Sequence, residues 1–148
     1  MSRRSTALAV ALVLMAVGSP LMTGRSAQAT LAEGASNQAA ESDSAERSAL
    51  KDEIAELTKL IETNPQDADA YRNRGVSKDD LGDTQGAIAD YNKAIEINPQ
   101  LAPAYYNRGL AKSKLKDYQG EIADYSKAIE INPQYAKAYY NRGLAKYY

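Results

Sequence analysis

The chain carries 18 Lys and Arg and 19 Asp and Glu, but no His and no Cys. Chemistry would therefore have to start from its carboxylates. Asp79-Asp80 and the pair Glu121 and Asp124 place two acids close together, an arrangement that elsewhere shares a proton or holds a hard cation. Neither pair has the companion such work needs. There is no imidazole to act as base, no thiolate, no Gly-rich phosphate loop and no nucleophile–base pair. Among ordinary charged neighbours these acids read as solvated faces. An enzyme is not expected, nor a metal or any other cofactor.

What recurs instead is a nine-residue string. "AYYNRGLAK" stands at 104–112 and again, unchanged, at 138–146, and "AYRNRGVSK" stands at 70–78. Each copy begins 34 residues after the last. Segments 67–100 and 101–134 align without a gap and share 23 of 34 residues. Backward, 53–66 aligns with 87–100; forward, the period continues through 135–148. The pattern is half a repeat, two whole repeats and half a repeat.

Each whole repeat reads as two helices. Ala102 to Lys114 has good helix formers, with Pro103 in the first turn where Pro is tolerated. Leu115-Lys116-Asp117 is the turn, and Asp117 is a natural N-cap. Ile122, Tyr125, Ala128 and Ile129 then recur at three- and four-residue spacing, and Asn132-Pro133 ends the run. The preceding repeat has the same plan, with Asp83 as cap and Asn98-Pro99 as stop. Before it, Leu50, Ile54, Leu57 and Ile61 predict a helix over about 45–63. Six helices are expected. Gly75, Gly109 and Gly143 fall inside helices, where Gly costs about 1 kcal/mol against Ala. A cost repeated at one interval predicts close helix approach there, with Ala94 and Ala128 on the facing side. Tyr71, Tyr105 and Tyr139 would fill the gaps between pairs.

These marks resemble the tetratricopeptide repeat (TPR) family, whose members run at this period. The family's sequence of aromatic, small residue, Ala, aromatic, Ala and late Pro is met by Tyr71, Gly75, Ala87, Tyr91, Ala94 and Pro99. The next copy has Tyr105, Gly109, Tyr125, Ala128 and Pro133, with Glu121 in place of the first Ala; the last copy keeps Tyr139 and Gly143. Glu121 is expected to reach outward or meet a Lys. A second departure is Arg74, Arg108 and Arg142 just before each Gly, where the family has an apolar residue. With Asp90 and Asp124 recurring in the second helices, the two readings are an Arg–Asp bridge within each repeat, or two solvated charges.

The resemblance implies an all-α, right-handed superhelical stack over 45–148. It also implies a non-catalytic role, binding a peptide or partner helix on the concave side lined by first helices. Carried over by position, the contacts are Arg72, Asn73 and Val76; Tyr106, Asn107, Leu110 and Lys114; and Lys137, Tyr140, Asn141 and Leu144. Asn73, Asn107 and Asn141 form a column whose amides suit a peptide backbone; an Asn merely tolerated on an exposed face is the plainer alternative. Tyr106, Leu110, Tyr140 and Leu144 make the groove apolar and aromatic, or else belong in part to the core. The carboxylate clamp of some members is met at only two positions of five, Asn107 and Lys137.

The first residues read differently. Arg3 and Arg4 precede eleven uncharged residues, Ala7–Val17, and Ala27-Gln28-Ala29 is a small-x-small site. This is the layout of a signal peptide over 1–29, cleaved after Ala29, an uncleaved anchor being the weaker reading. Residues 30–44 read as a flexible acidic linker. Cleavage removes three Arg and no acid, leaving a net charge of −4; residues 67–148 balance 12 basic against 11 acidic side chains. Neither nucleic acid nor, once the leader is removed, a membrane is expected as partner. The expected compartment is the periplasm, with a thylakoid lumen or the extracellular space as alternatives. A monomer is expected. The alternative is a self-associating repeat protein, dimerising through the apolar C-terminal helix that carries Leu144 and Tyr147.

Overall fold

In the computed structural model, residues 24–147 are described, with side chains from residue 38 onward. Residues 1–23, most of the expected signal peptide, lie outside the described residues. The described chain holds six helices and no strand. They are α1 (Gly24–Thr63), α2 (Ala68–Asp80), α3 (Thr84–Ile97), α4 (Ala102–Lys114), α5 (Tyr118–Ile131) and α6 (Ala136–Ala145). A compact unit spans Ala39–Tyr148. In it α2 packs on α3, α3 on α4, α4 on α5 and α5 on α6. The stack is all-α and has the expected period.

Local signals explain where these helices start and stop. Asp83 and Asp117 cap α3 and α5, each side chain accepting a hydrogen bond from the backbone N–H three residues on, at 2.9 and 3.0 Å. Asp67 does the same for α2 through Ala70, a cap beyond the two expected. Asn98 and Asn132 close α3 and α5 in extended conformation, as the following Pro requires. The turn inside each repeat needs a left-handed residue. The first repeat supplies Gly82 (φ 90°); the second has Lys116 (φ 62°) at the same place, which strains a side-chain-bearing residue by about 1 kcal/mol.

One boundary differs from expectation. α1 begins at Gly24 rather than near 45, so the stretch read as linker is helical. No Pro stands between Pro20 and Pro65, and Ala- and Glu-rich sequence lets the helix propagate from its packed end. No helix among the described residues is long and apolar enough to cross a membrane.

The core is built from small residues and two rings. Ala87, Ala94, Ala104, Ala111, Ala128 and Ala138 are fully buried, as are Tyr91 and Tyr125. The buried face of α5 is Glu121, Asp124, Tyr125, Ala128 and Ile129. It is rotated from the purely apolar stripe, since Ile122 is only half-buried while two acids are covered.

The facing side of the glycine contact is not Ala94 or Ala128. A Cβ added at Gly75 would lie 2.6 Å from Tyr91 Cε1, and one at Gly109 2.7 Å from Tyr125 Cε1. The second-helix tyrosine ring packs directly against the first-helix glycine, which explains why both recur together. At Gly143 an added Cβ meets nothing within 4 Å. The close approach expected there is absent, because among the described residues no helix follows α6 to bring a tyrosine over it as α3 and α5 do for Gly75 and Gly109.

Candidate peptide-binding face

The charged residues of the repeat form a ladder that ties helices together before any surface is left for a ligand. Arg74 grips Asp90 with two parallel hydrogen bonds, Nε to Oδ2 at 2.9 Å and Nη2 to Oδ1 at 2.7 Å. Arg108 grips Asp124 in the same fork, at 2.9 and 2.6 Å. Lys78 and Lys112, one turn on, each add a contact of 2.8 Å to the same carboxylates. Both acids are buried, so these are pairs within the fold and not solvated charges.

Each guanidinium also reaches back one repeat through Nη1. Arg74 donates to Thr58, Arg108 to Asn92 and Arg142 to Ser126, at 3.2, 2.6 and 3.3 Å. The three acceptors are themselves 34 residues apart. Finally, each Arg lies over the Tyr three positions before it, Tyr71, Tyr105 or Tyr139, at 5.4 to 5.5 Å. The Arg that departs from the family pattern thus bridges two repeats. Its Asp bond raises the Arg74 pKa above the ordinary guanidinium value, and burial pushes the Tyr91 and Tyr125 hydroxyls up.

With these residues committed, the expected contact set divides. Val76 packs on the core around Ala87, Tyr91 and Ala111. Tyr106 and Leu110 pack half-buried on the cluster of Tyr105, Tyr125 and Ile129. The Tyr106 ring lies 5.6 Å from that of Tyr125 and 5.0 Å from that of Tyr135. Its hydroxyl accepts a 3.0 Å hydrogen bond from Asn141 Nδ2 across the repeat boundary. Arg72 pairs with Asp69 at 3.3 Å, and Lys114 with Asp79 at 3.0 Å, joining α4 to α2. Tyr140 and Leu144 are open, at 68% and 48% exposure, and Lys137 is exposed too. Asn73 and Asn107 are half-buried. The aromatic and apolar residues therefore split: Tyr106 and Leu110 belong in part to the core, whereas Tyr140 and Leu144 face solvent.

Glu121 departs from expectation. It neither reaches outward nor meets a Lys. It is 5% exposed, and its Oε2 has no hydrogen-bond partner. Both Lys of α4 are committed elsewhere, Lys112 to Asp124 and Lys114 to Asp79, so neither pairs with it. The sequence signal was present, an acid where the first repeat has the fully buried Ala87, but the direction of the side chain was not.

The comparisons with known proteins agree with this geometry. A TPR repeat model matches residues 80–116 and 113–147. Residues 80–147 are tetratricopeptide repeats. Among solved structures, this TPR chain is similar to the TPR domain of Arabidopsis OM64, with 28% identity over 64% of this chain and 78% of that one, at a TM-score of 0.62. It is similar to the first TPR of Spaghetti (RPAP3) bound to the HSP90 peptide SRMEEVD, with 25% identity over 63% and 74% of the two chains and a TM-score of 0.61. It is also similar to the MamA protein, with 32% identity over 65% of this chain but 52% of that one, at a TM-score of 0.62. No curated protein matches the TPR chain by sequence. The fold is that of interaction scaffolds, and one of its structural neighbours holds a peptide.

Proposed function

We propose that this TPR protein is a non-catalytic adaptor that binds a peptide or partner helix along the first helices of its repeats. The observation that carries the reading is the column at 34-residue spacing. Positions 72, 106 and 140, then 73, 107 and 141, then 76, 110 and 144 repeat along α2, α4 and α6. The column ends in Tyr140 and Leu144, whose exposed surface suits a ligand's apolar side chains. The half-buried Asn107 amide of the same column suits a peptide backbone. The neighbour bound to an HSP90 peptide supports the same mode. Export, with the periplasm as compartment, belongs to the proposal and rests on the leader's layout alone.

The test is capture of partners from an envelope fraction by the chain lacking its leader, compared with Asn107→Ala/Tyr140→Ala. The double variant is expected to lose about 10-fold or more in capture, since each lost anchor costs on the order of 1 kcal/mol or more. Its melting temperature should stay within a few degrees. Equal capture would place the site elsewhere.

A second reading, self-association, is favoured by the face of α6. Tyr139, Tyr140 and Leu144 are exposed on it and Tyr147 is exposed just beyond it, and Arg142 lacks the carboxylate that Arg74 and Arg108 hold. Gel filtration at micromolar concentration is expected to show a monomer. A concentration-dependent dimer that Leu144→Lys and Tyr147→Lys abolish would establish the second reading in its place.

A further inference from the structure

A cavity of about 200 Å³ opens between α4, α5 and α6. Leu110, Leu144 and Ala145 form its apolar walls, while Ser113, Asn141 and Glu121 supply its polar lining. Glu121 enters from the first turn of α5, whose helix dipole favours a charged acid there. Burial opposes that charge, and a buried carboxylate oxygen without a partner is costly. The groups facing it do not remove the cost. The Asn141 amide donates to Tyr106, the two nearest Lys of α4 are held by Asp124 and Asp79, and Glu121 Oε2 keeps no partner although the Tyr125 hydroxyl, one turn on, interacts with the same carboxylate. In the first repeat the equivalent residue is Ala87, fully buried against Tyr91 and Ala111; the second repeat has an acid and a cavity instead.

We propose that this cavity takes a Lys or Arg side chain of the bound peptide, with its cationic head on Glu121. The inference rests on the peptide-binding reading above and names the residue class that reading lacks. A turn of the Glu121 side chain, whose Oε2 is covered here, would bring the unpaired oxygen to the head for a charge-assisted hydrogen bond, and the methylene stem would lie along Leu110, Leu144 and Ala145. The cavity shares Leu110, Asn141 and Leu144 with the expected contact set, so one extended peptide reaches both. A lone carboxylate does not make a metal site, and among the described residues no group of three or more metal-ligating side chains exists.

The experiment pans a random linear peptide library against the whole chain and against Glu121→Gln, Glu121→Ala and Asn107→Ala/Tyr140→Ala. Glu121→Ala installs the first repeat's residue, and thermal melts confirm that each variant folds. Peptides enriched on the parent should carry Lys or Arg at one fixed position. That preference should vanish on both Glu121 variants while other positions stay selected. A chosen peptide should bind about 10-fold less tightly to Glu121→Gln, as expected for a lost hydrogen bond to a charged group. Its norleucine analogue should bind parent and variant alike. Enrichment without a basic position, or the same basic position on Glu121→Gln, overturns the assignment but leaves the groove standing. No enrichment on the parent, or enrichment untouched by Asn107→Ala/Tyr140→Ala, overturns the groove reading and this assignment with it.

Discussion

Gly109→Ala is expected to destabilise the protein by about 2 kcal/mol, although Ala is the better helix former by about 1 kcal/mol. The new methyl would stand 2.7 Å from Tyr125 Cε1 and 2.9 Å from its Cδ1. Tyr125 is 1% exposed and packed against the Tyr106 ring, so the ring would have to leave its packed position or α4 and α5 would have to separate. Gly109→Leu should cost several kcal/mol and lower the melting temperature by well over 10 °C, at roughly 4 °C or more per kcal/mol. Gly143→Ala gives the internal control. An added Cβ there meets nothing within 4 Å, so only the helix preference remains and stability should be unchanged or slightly higher. Thermal unfolding of the three variants checks this. Equal signs for Gly109→Ala and Gly143→Ala would refute the packing role assigned to the ring.

Asp124→Ala is expected to cost about 3 kcal/mol, the lower end for removing one partner of a buried ion pair. The variant strands the Arg108 fork and the Lys112 ammonium together. Both cations retain some access to water, with side chains 18% and 21% exposed, which limits the loss. Arg108→Ala should cost a similar amount, because it also severs the link to Asn92 and uncovers Tyr105. Arg142→Ala should cost less than about 1 kcal/mol, since that residue has only Ser126 and the exposed Tyr139 ring. Urea unfolding measures all three. A cost for Arg142→Ala equal to that for Arg108→Ala would show that the carboxylate contributes nothing beyond the ring and the hydroxyl.

The candidate site was legible in the sequence only as positions. A 34-residue period assigns Asn73, Asn107 and Asn141 to one column whatever the details of packing. It does not say which members the stack covers. Tyr106 and Tyr140 are the same letter at the same position. Tyr106 is packed against Tyr125 and Tyr135, and Tyr140 is 68% exposed, because α6 packs against the first ring and no described element packs against the second. Glu121 shows the same limit. Its substitution for Ala was visible, but its inward direction and its lack of a Lys partner were not.

By itself the sequence determined the six described helices, the caps at Asp83 and Asp117, the stops at Asn98 and Asn132, and the two-helix unit, since each rests on neighbours a few residues apart. Asp83 and Asp117 cap from three residues away, and Asn98-Pro99 ends a helix through the backbone of Pro alone. The exact 34-residue recurrence then determined that the units stack. Only the tertiary structure decided what meets what across that interval. It set Tyr91 and Tyr125, not Ala94 and Ala128, over the glycines. It turned two solvated-looking charges into a buried fork that also reaches the preceding repeat. The physical reason is that pairing over 16 residues depends on the rotation of each helix about its axis. That rotation is settled by the packing of every neighbour at once, and no local run of residues encodes it.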